Sequence, residues 1–229
     1  MSTIIEAFDA VVDTSLAWLI DEASGFFSAI STGMDAAYSA SNTLMMFAPW
    51  WVVVLIVALV GWRVNGVLFA ITAAAGLWLC QTMGLWTETI ATLTLVFSST
   101  LLALLIAIPL GVLVGLSAKW KHSAKLVLDF IQTMPPYIFL LPGIALLGYG
   151  PATAIWATCL VAIPPALRLT AHGIFMTPAQ YCELGSAVGM KPVSQVLKIR
   201  LPFAIPSILA GINQSLMLSF GMVVIAGIA

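Results

Sequence analysis

Apolar residues dominate the chain in long runs, separated by short and unevenly spaced polar intervals. A helix needs roughly 20 predominantly apolar residues to cross a bilayer. Six runs approach or exceed that length: 44–62, 64–86, 89–117, 126–148, 152–167 and 203–229. The fifth is short, so it is expected to be kinked or supported by its neighbours. Pro109 falls inside the third run, Pro135, Pro136 and Pro142 inside the fourth, and Pro164 and Pro165 inside the fifth. Each proline removes a helix hydrogen bond and invites a kink. In a membrane such breaks persist only where neighbours or water satisfy the freed carbonyls. Runs four and five are therefore expected to line a shared interior rather than to face lipid.

Two polar intervals have helical patterning of their own. In residues 1–43, Ile4, Ile5, Phe8, Val11, Val12, Leu16, Leu19 and Ile20 recur at three- and four-residue steps, while Glu6, Asp9, Asp13 and Asp21 line the other side. This predicts an amphipathic helix with an acidic face rather than a membrane span. Acid disfavours anionic headgroups, so the helix is expected to pack on its own bundle or to meet an extracytoplasmic protein. The second interval, 177–202, predicts a helix-turn-helix. Thr177 and Gln180 have capping-box spacing around Pro178. Tyr181, Leu184 and Val188 share a face, and Gly189 is a stop signal. Pro192 opens a second short helix with apolar Val193, Val196 and Leu197, which Pro202 is expected to end. A short two-helix element with one apolar face suits docking onto a partner or a membrane surface.

Charge adds orientation. Arg63 lies between runs one and two, Lys119, Lys121 and Lys125 between three and four, and Arg168, Lys191, Lys198 and Arg200 between five and six. Every basic residue thus occupies an odd-numbered connection, and the positive-inside rule assigns that side to the cytoplasm. The N-terminus is then expected outside. Trp50, Trp51, Trp62, Trp86 and Trp120 fall at run ends, as interfacial anchors do. The 229 residues are 62% hydrophobic and 7% charged, with a mean hydropathy of +1.11. Soluble domains carry about 25% charged residues, so the solvent for this chain is a bilayer. A net charge of −1 argues against a nucleic-acid partner. The acidic start lacks a cleavable signal peptide, so the first span is expected to direct its own insertion.

Candidate chemistry is sparse. Gly-x-Ser-x-Gly, His-Glu-x-x-His and phosphate-binding loop patterns are all missing from the sequence. The chain is therefore read as no enzyme, with no cofactor and no metal, and any ATP hydrolysis falls to another chain. Cys80, Cys159 and Cys182 read as small buried hydrophobes. His122 and His172 read as solvated loop residues. Asp129 lies a turn inside the fourth run, four residues after Lys125. An i,i+4 ion pair is the expectation. A proton-coupling acid is the sharper alternative, and it would make the protein a proton- or ion-coupled secondary carrier of a small solute. Glu88 sits favourably at a helix start. Gln132, Thr133, Asn213 and Gln214 are uncharged polar residues in or near spans. They suit helix–helix hydrogen bonds of about 0.6–2 kcal/mol or the lining of a polar path. Tyr137, Phe139 and Trp156 offer aromatic faces to a quaternary ammonium.

The same residues carry a resemblance. Glu183, Gly189 and then Ile199-Arg200-Leu201-Pro202 resemble the Glu-Ala-Ala loop of ABC-importer permeases, with Leu184-Gly185 where the alanines usually stand. Leu128-Asp129-Phe130-Ile131-Gln132-Thr133-Met134-Pro135 is similar to the glycine betaine/proline/choline branch of that family. So is the run Ala210-Gly211-Ile212-Asn213-Gln214-Ser215-Leu216-Met217-Leu218. The resemblance implies an all-α, polytopic transmembrane bundle of the type I ABC importer permease kind. Residues 1–43 would form an extracytoplasmic segment and 44–229 the multi-pass permease domain in the cell (inner) membrane. It implies that Glu183, Gly189, Ile199, Leu201 and Pro202 couple the bundle to an ABC ATPase subunit. It further implies an extracytoplasmic substrate-binding protein and a second permease copy as partners. Gln132, Thr133, Pro135, Tyr137, Asn213 and Gln214 are the expected translocation path. The family continues with a glycine-rich turn and further spans past the run that ends at Ala229, so the chain is expected to be a truncated product.

Overall fold

The computed structural model describes Thr14 and residues 22–227. The amphipathic helix expected over 4–21 lies, Thr14 apart, outside these residues. The described chain is built of helices: α1 (Ser24–Phe47), α2 (Trp50–Asn65), α3 (Val67–Thr82), α4 (Trp86–Gly115), α5 (Ala118–Thr133), α6 (Leu140–Leu147), α7 (Pro151–Phe175), α8 (Ala179–Ala187), α9 (Pro192–Gln195) and α10 (Leu201–Ala226). A 3-10 turn, Pro136–Phe139, precedes α6, and a π turn, Val196–Arg200, joins α9 to α10. The fold is all-α.

The fifth apolar run departs furthest from expectation. It is neither short nor broken. α7 runs 25 residues through Pro164 and Pro165 and is the centre of the molecule. In its most apolar window 67% is buried, against 33% for α4 and 28% for the helical stretch Pro192–Ala226. Small residues bring its neighbours close, as in membrane helix pairs generally. A Cβ on Gly111 of α4 would lie 2.7 Å from Thr170 Cβ, and one on Gly115 would lie 2.7 Å from the Ala171 carbonyl oxygen. On the other side, a Cβ on Gly173 would lie 3.0 Å from Ala204 Cβ of α10, and one on Gly211 would lie 3.1 Å from Ala166 Cα. Polar groups cross the same seams. Ser215 Oγ donates to the Ala162 carbonyl at 2.7 Å and Cys159 Sγ to the Ser99 carbonyl at 3.2 Å. Cys159 is thus a buried packing residue.

The fourth run does break. Met134 (ψ 138°) and Pro135 (ψ 131°) are extended, because the residue before a proline is driven out of the α region, and here two prolines follow in succession. The segments on either side meet at 100°. The first run is also divided. Residues 44–47 end α1, and after Pro49 the chain turns by 90° into α2. α2 and α3 form a hairpin closed at Gly66, whose φ of +90° favours glycine. Each has 16 residues, about 24 Å at the α-helical rise, less than the roughly 30 Å of hydrocarbon. Against the six runs expected, three helices among the described residues are long and apolar enough to cross, or up to five if each bent pair counts as one.

α1 packs on the bundle at the end where α6 gives way to α7. Ser31 Oγ donates to the Leu147 carbonyl at 3.3 Å, and Asp35 Oδ1 accepts from the Ala152 amide at 3.1 Å, serving an orphan donor of the first turn of α7. Met34 and Tyr38 lie against the buried cluster of Ala103, Ile155 and Cys159.

Candidate functional site

The polar interval 177–202 folds as a helix-turn-helix, with a changed beginning and end. Thr177 does not cap α8. Its hydroxyl turns back and donates to the Ile174 carbonyl of α7 at 3.1 Å. Pro178 takes the N-cap position, one residue later than the Thr-x-x-Gln register requires. The turn after α8 is a Schellman motif. The Gly189 amide donates to Ser186 O at 3.0 Å and the Met190 amide to Gly185 O at 2.9 Å, with Gly189 at φ +73°. This is the left-handed C′ position that glycine fills without a Cβ penalty.

The two short helices are clamped together. Gln195 Nε2 donates to the Cys182 carbonyl and to Ser186 Oγ, each at 2.8 Å. Gly185 is buried beneath Ile199, whose Cδ1 would lie 2.9 Å from an added Cβ. The Tyr181 and Phe203 rings stand 4.9 Å apart. Pro202 does not end the second helix, as expected from sequence. It sits in the first turn of α10, and the helical path continues unbroken over Pro192–Ala226. A π turn immediately before it widens the coil where the proline ring would otherwise press on the preceding carbonyl. Leu201 packs against the buried Ile174, Ala204 and Ile208.

The outer face of this loop is apolar and uncovered. Leu184, Val188, Val193 and Leu197 are 62%, 69%, 69% and 58% exposed. Glu183 is exposed beside them and has no ion-pair partner among the described residues. Tyr181 leaves the expected stripe to meet Phe203, while Leu184 and Val188 keep it. A contiguous exposed apolar patch bordered by charge marks an interaction surface.

The expected path residues form two groups. Gln132, Thr133, Pro135 and Tyr137 cluster at the break between α5 and α6, all exposed. Asn213 and Gln214 are exposed halfway along α10, while Gly211, Ser215 and Ser219 of that helix are buried. Among the described residues no hydrogen bond joins the two groups or ties Asn213 or Gln214 to another helix. The helix–helix bonding expected of them is thus not made. Of the aromatic candidates, Phe139 and Trp156 pack against Leu140, Ala157 and Met222, and Tyr137 is 58% exposed.

Asp129 pairs with Arg168 of α7, at 2.7 Å, and not with Lys125. The arginine reaches across from the neighbouring helix. Both members are more than 40% exposed, and nothing about this paired, accessible carboxylate favours the secondary-carrier alternative. Lys125 instead lines a groove of about 480 Å³ between α5 and α7, together with Lys121, His122 and His172. The histidines therefore belong to a cleft rather than to open loops. The signal for it was helical spacing: positions 121, 122 and 125 fall on one side of α5, and 168, 172 and 175 on one side of α7.

Comparison with known proteins places these features. A family profile described as "Binding-protein-dependent transport system inner membrane component" matches residues 107–229. The chain is 31% identical over 218 residues to the glycine betaine/proline betaine transport system permease protein ProW of Escherichia coli, covering 95% of this chain and 62% of that protein. It is 32% identical to the glycine betaine transport system permease protein OpuAB of Bacillus subtilis, covering 94% and 77%. It is 34% identical to the glycine betaine/carnitine transport permease protein GbuB of Listeria monocytogenes, covering 88% and 73%. The chain thus spans less than two thirds of the Escherichia coli relative and about three quarters of the other two.

Proposed function

The chain belongs to the family of binding-protein-dependent transport system inner membrane components, and from that premise we propose that it is the membrane-spanning subunit of an ATP-driven importer for small compatible solutes. Glycine betaine, proline betaine, carnitine and choline are the solutes named for its relatives, and a compact quaternary ammonium or proline-like solute is the proposed cargo. Hydrolysis belongs to a separate ATPase. The basic residues in alternate connections support a cytoplasmic 177–202 loop and an N-terminal segment outside.

One observation carries the proposal: an exposed apolar face is mounted on a clamped helix pair that runs without a break into α10. A partner ATPase seats on Leu184, Val188, Val193 and Leu197, with Glu183 at the rim. Gly189 sets the angle between the two loop helices. Ile199 locks the pair through Gly185, and Leu201 and Pro202 tie it to the bundle. Closure of the ATPase dimer then levers α10 against α7.

The path reading draws on α10 as well. Asn213 and Gln214 are exposed in the middle of an apolar helix, where hydrocarbon would leave their amides unsatisfied at a cost of several kcal/mol. That face is proposed to meet a polar path, completed by Gln132, Thr133, Pro135 and Tyr137 and by a second copy of the permease. An extracytoplasmic binding protein delivers the solute to the opposite end.

Co-purification with a candidate ATPase subunit tests this. The native chain is expected to retain the ATPase in detergent, and Leu184→Glu/Val188→Glu to lose it while inserting normally. Retention by the double variant would remove the loop as the docking element.

A further inference from the structure

We propose that the groove between α5 and α7 is a binding site for an anionic phospholipid, its lysines holding the headgroup phosphate and its floor the upper part of an acyl chain. The groove has about 480 Å³ and is lined by apolar groups, Val114, Leu128 and Leu167 among them, except at a basic rim. Lys125 is exposed and has no partner among the described residues. Lys121 lies with Nζ 3.6 Å from the centroid of the Phe175 ring, a contact that steadies the ammonium without neutralising it. Arg168 is already matched by Asp129. Two lysines therefore remain to balance an anion, flanked by His122 and His172 as further polar lining.

The position of α5 selects a lipid over a soluble anion. The helix stands at 100° to the Pro136–Leu147 segment and carries its lysines next to the 65% exposed Trp120, with Leu126 and Phe130 exposed further along. The lysine-bearing first half of such a helix, with an aromatic residue at its end, lies at the level of the headgroups. A free phosphate would gain nothing from the apolar floor, whereas an acyl chain fills it. A zwitterionic headgroup brings an ammonium toward the lysines and is disfavoured. Only the assignment to the inner leaflet rests on the orientation proposed above, and the groove can be tested in detergent regardless of leaflet or ATPase.

The test is native mass spectrometry of the full chain with added phosphatidylglycerol or phosphatidylcholine. Phosphatidylglycerol adducts are expected to dominate, and Lys121→Gln/Lys125→Gln to abolish the preference, at about fivefold per lysine, the factor that about 1 kcal/mol represents. Lys125→Gln alone, at an exposed and unpartnered position, is expected to lose about fivefold and serves if the double variant does not fold. Lys191→Gln, in the loop outside the groove, is expected to leave the preference intact. Unchanged preference in the lysine variants, or an equal loss in Lys191→Gln, would overturn the site. Displacement of the lipid by millimolar inorganic phosphate would overturn its assignment to a lipid.

Discussion

The hairpin of α2 and α3 and the trio of α4, α7 and α10 are written in the same apolar alphabet and behave in opposite ways. In the hairpin the close approach is Gly61 against the Phe69 ring, a movable side chain 2.7 Å from where a Cβ would sit, and large side chains point away from protein: Trp51, Trp62, Leu68 and Trp78 are 56%, 54%, 77% and 56% exposed. In the trio the contact positions are small. Gly111, Gly115, Gly173 and Gly211 admit neighbouring backbone and side chains to distances that a Cβ would forbid. Apolarity decides that both regions live in lipid, but lipid is as apolar as leucine and gives no reason for one helix to prefer another. Close approach supplies that reason through dispersion and interhelical hydrogen bonds, and only small residues permit it.

The sharpest way to break this comparison is Gly115→Leu against Leu68→Ala. The first forces a side chain toward the Ala171 carbonyl, 2.7 Å from where its Cβ would sit, and backbone cannot move aside as a side-chain end can. Overpacking of this kind is expected to cost about 3 kcal/mol, read as lost monodisperse protein and a lower melting temperature in detergent. The hairpin substitution is expected to stay within about 0.5 kcal/mol. Equal effects would mean that small-residue contacts do not distinguish the two regions.

A smaller contrast lies inside the loop. Gly189→Ala places a Cβ at φ +73° and is expected to cost about 1–2 kcal/mol, with weakened ATPase retention. Gly185→Ala meets the flexible end of Ile199 at 2.9 Å and also Gln195 Nε2 and Cγ at 3.1 and 3.2 Å, the side chain that clamps the two loop helices. Removing the entropic penalty of glycine in a helix, about 0.5–1 kcal/mol, offsets part of that crowding, so the cost is expected to stay below that of Gly189→Ala. The smallest effect belongs to Arg168→Gln. It breaks an ion pair whose members are 43% and 41% exposed, and pairs of that exposure contribute about 0–1 kcal/mol. A thermal shift larger than that would give the Asp129–Arg168 pair a weight that its accessibility does not predict.

Much of the loop is legible in the sequence. Gly189 is a left-handed helix stop, Pro192 opens a helix, and the loop keeps an exposed apolar stripe, because capping and turn signals act within a few residues. The prolines were the poorest guides. Pro164 and Pro165 looked like breakers and lie inside the longest-buried helix, while Pro135 and Pro136 do break theirs. Pro202 looked like a stop and is carried through by a π turn. In each case the outcome depends on what surrounds the freed carbonyls and the ring, which spacing does not encode. The same holds for Asp129. Its neighbour in sequence, Lys125, was the natural partner, and Arg168 took the place from another helix.

The sequence by itself determined the solvent, the helical class, the placement of basic residues in alternate connections between apolar runs and the turn between the loop helices. These follow from sums over adjacent residues: apolar length against bilayer thickness, charge along the chain and local backbone preference. Only the tertiary structure decided which helix is central, which proline breaks its helix, where the Asp129 carboxylate finds its cation and that two lysines and two histidines share one cleft. Those depend on which residues meet across helices more than 30 positions apart, and a bilayer that solvates every apolar face alike leaves that choice to packing.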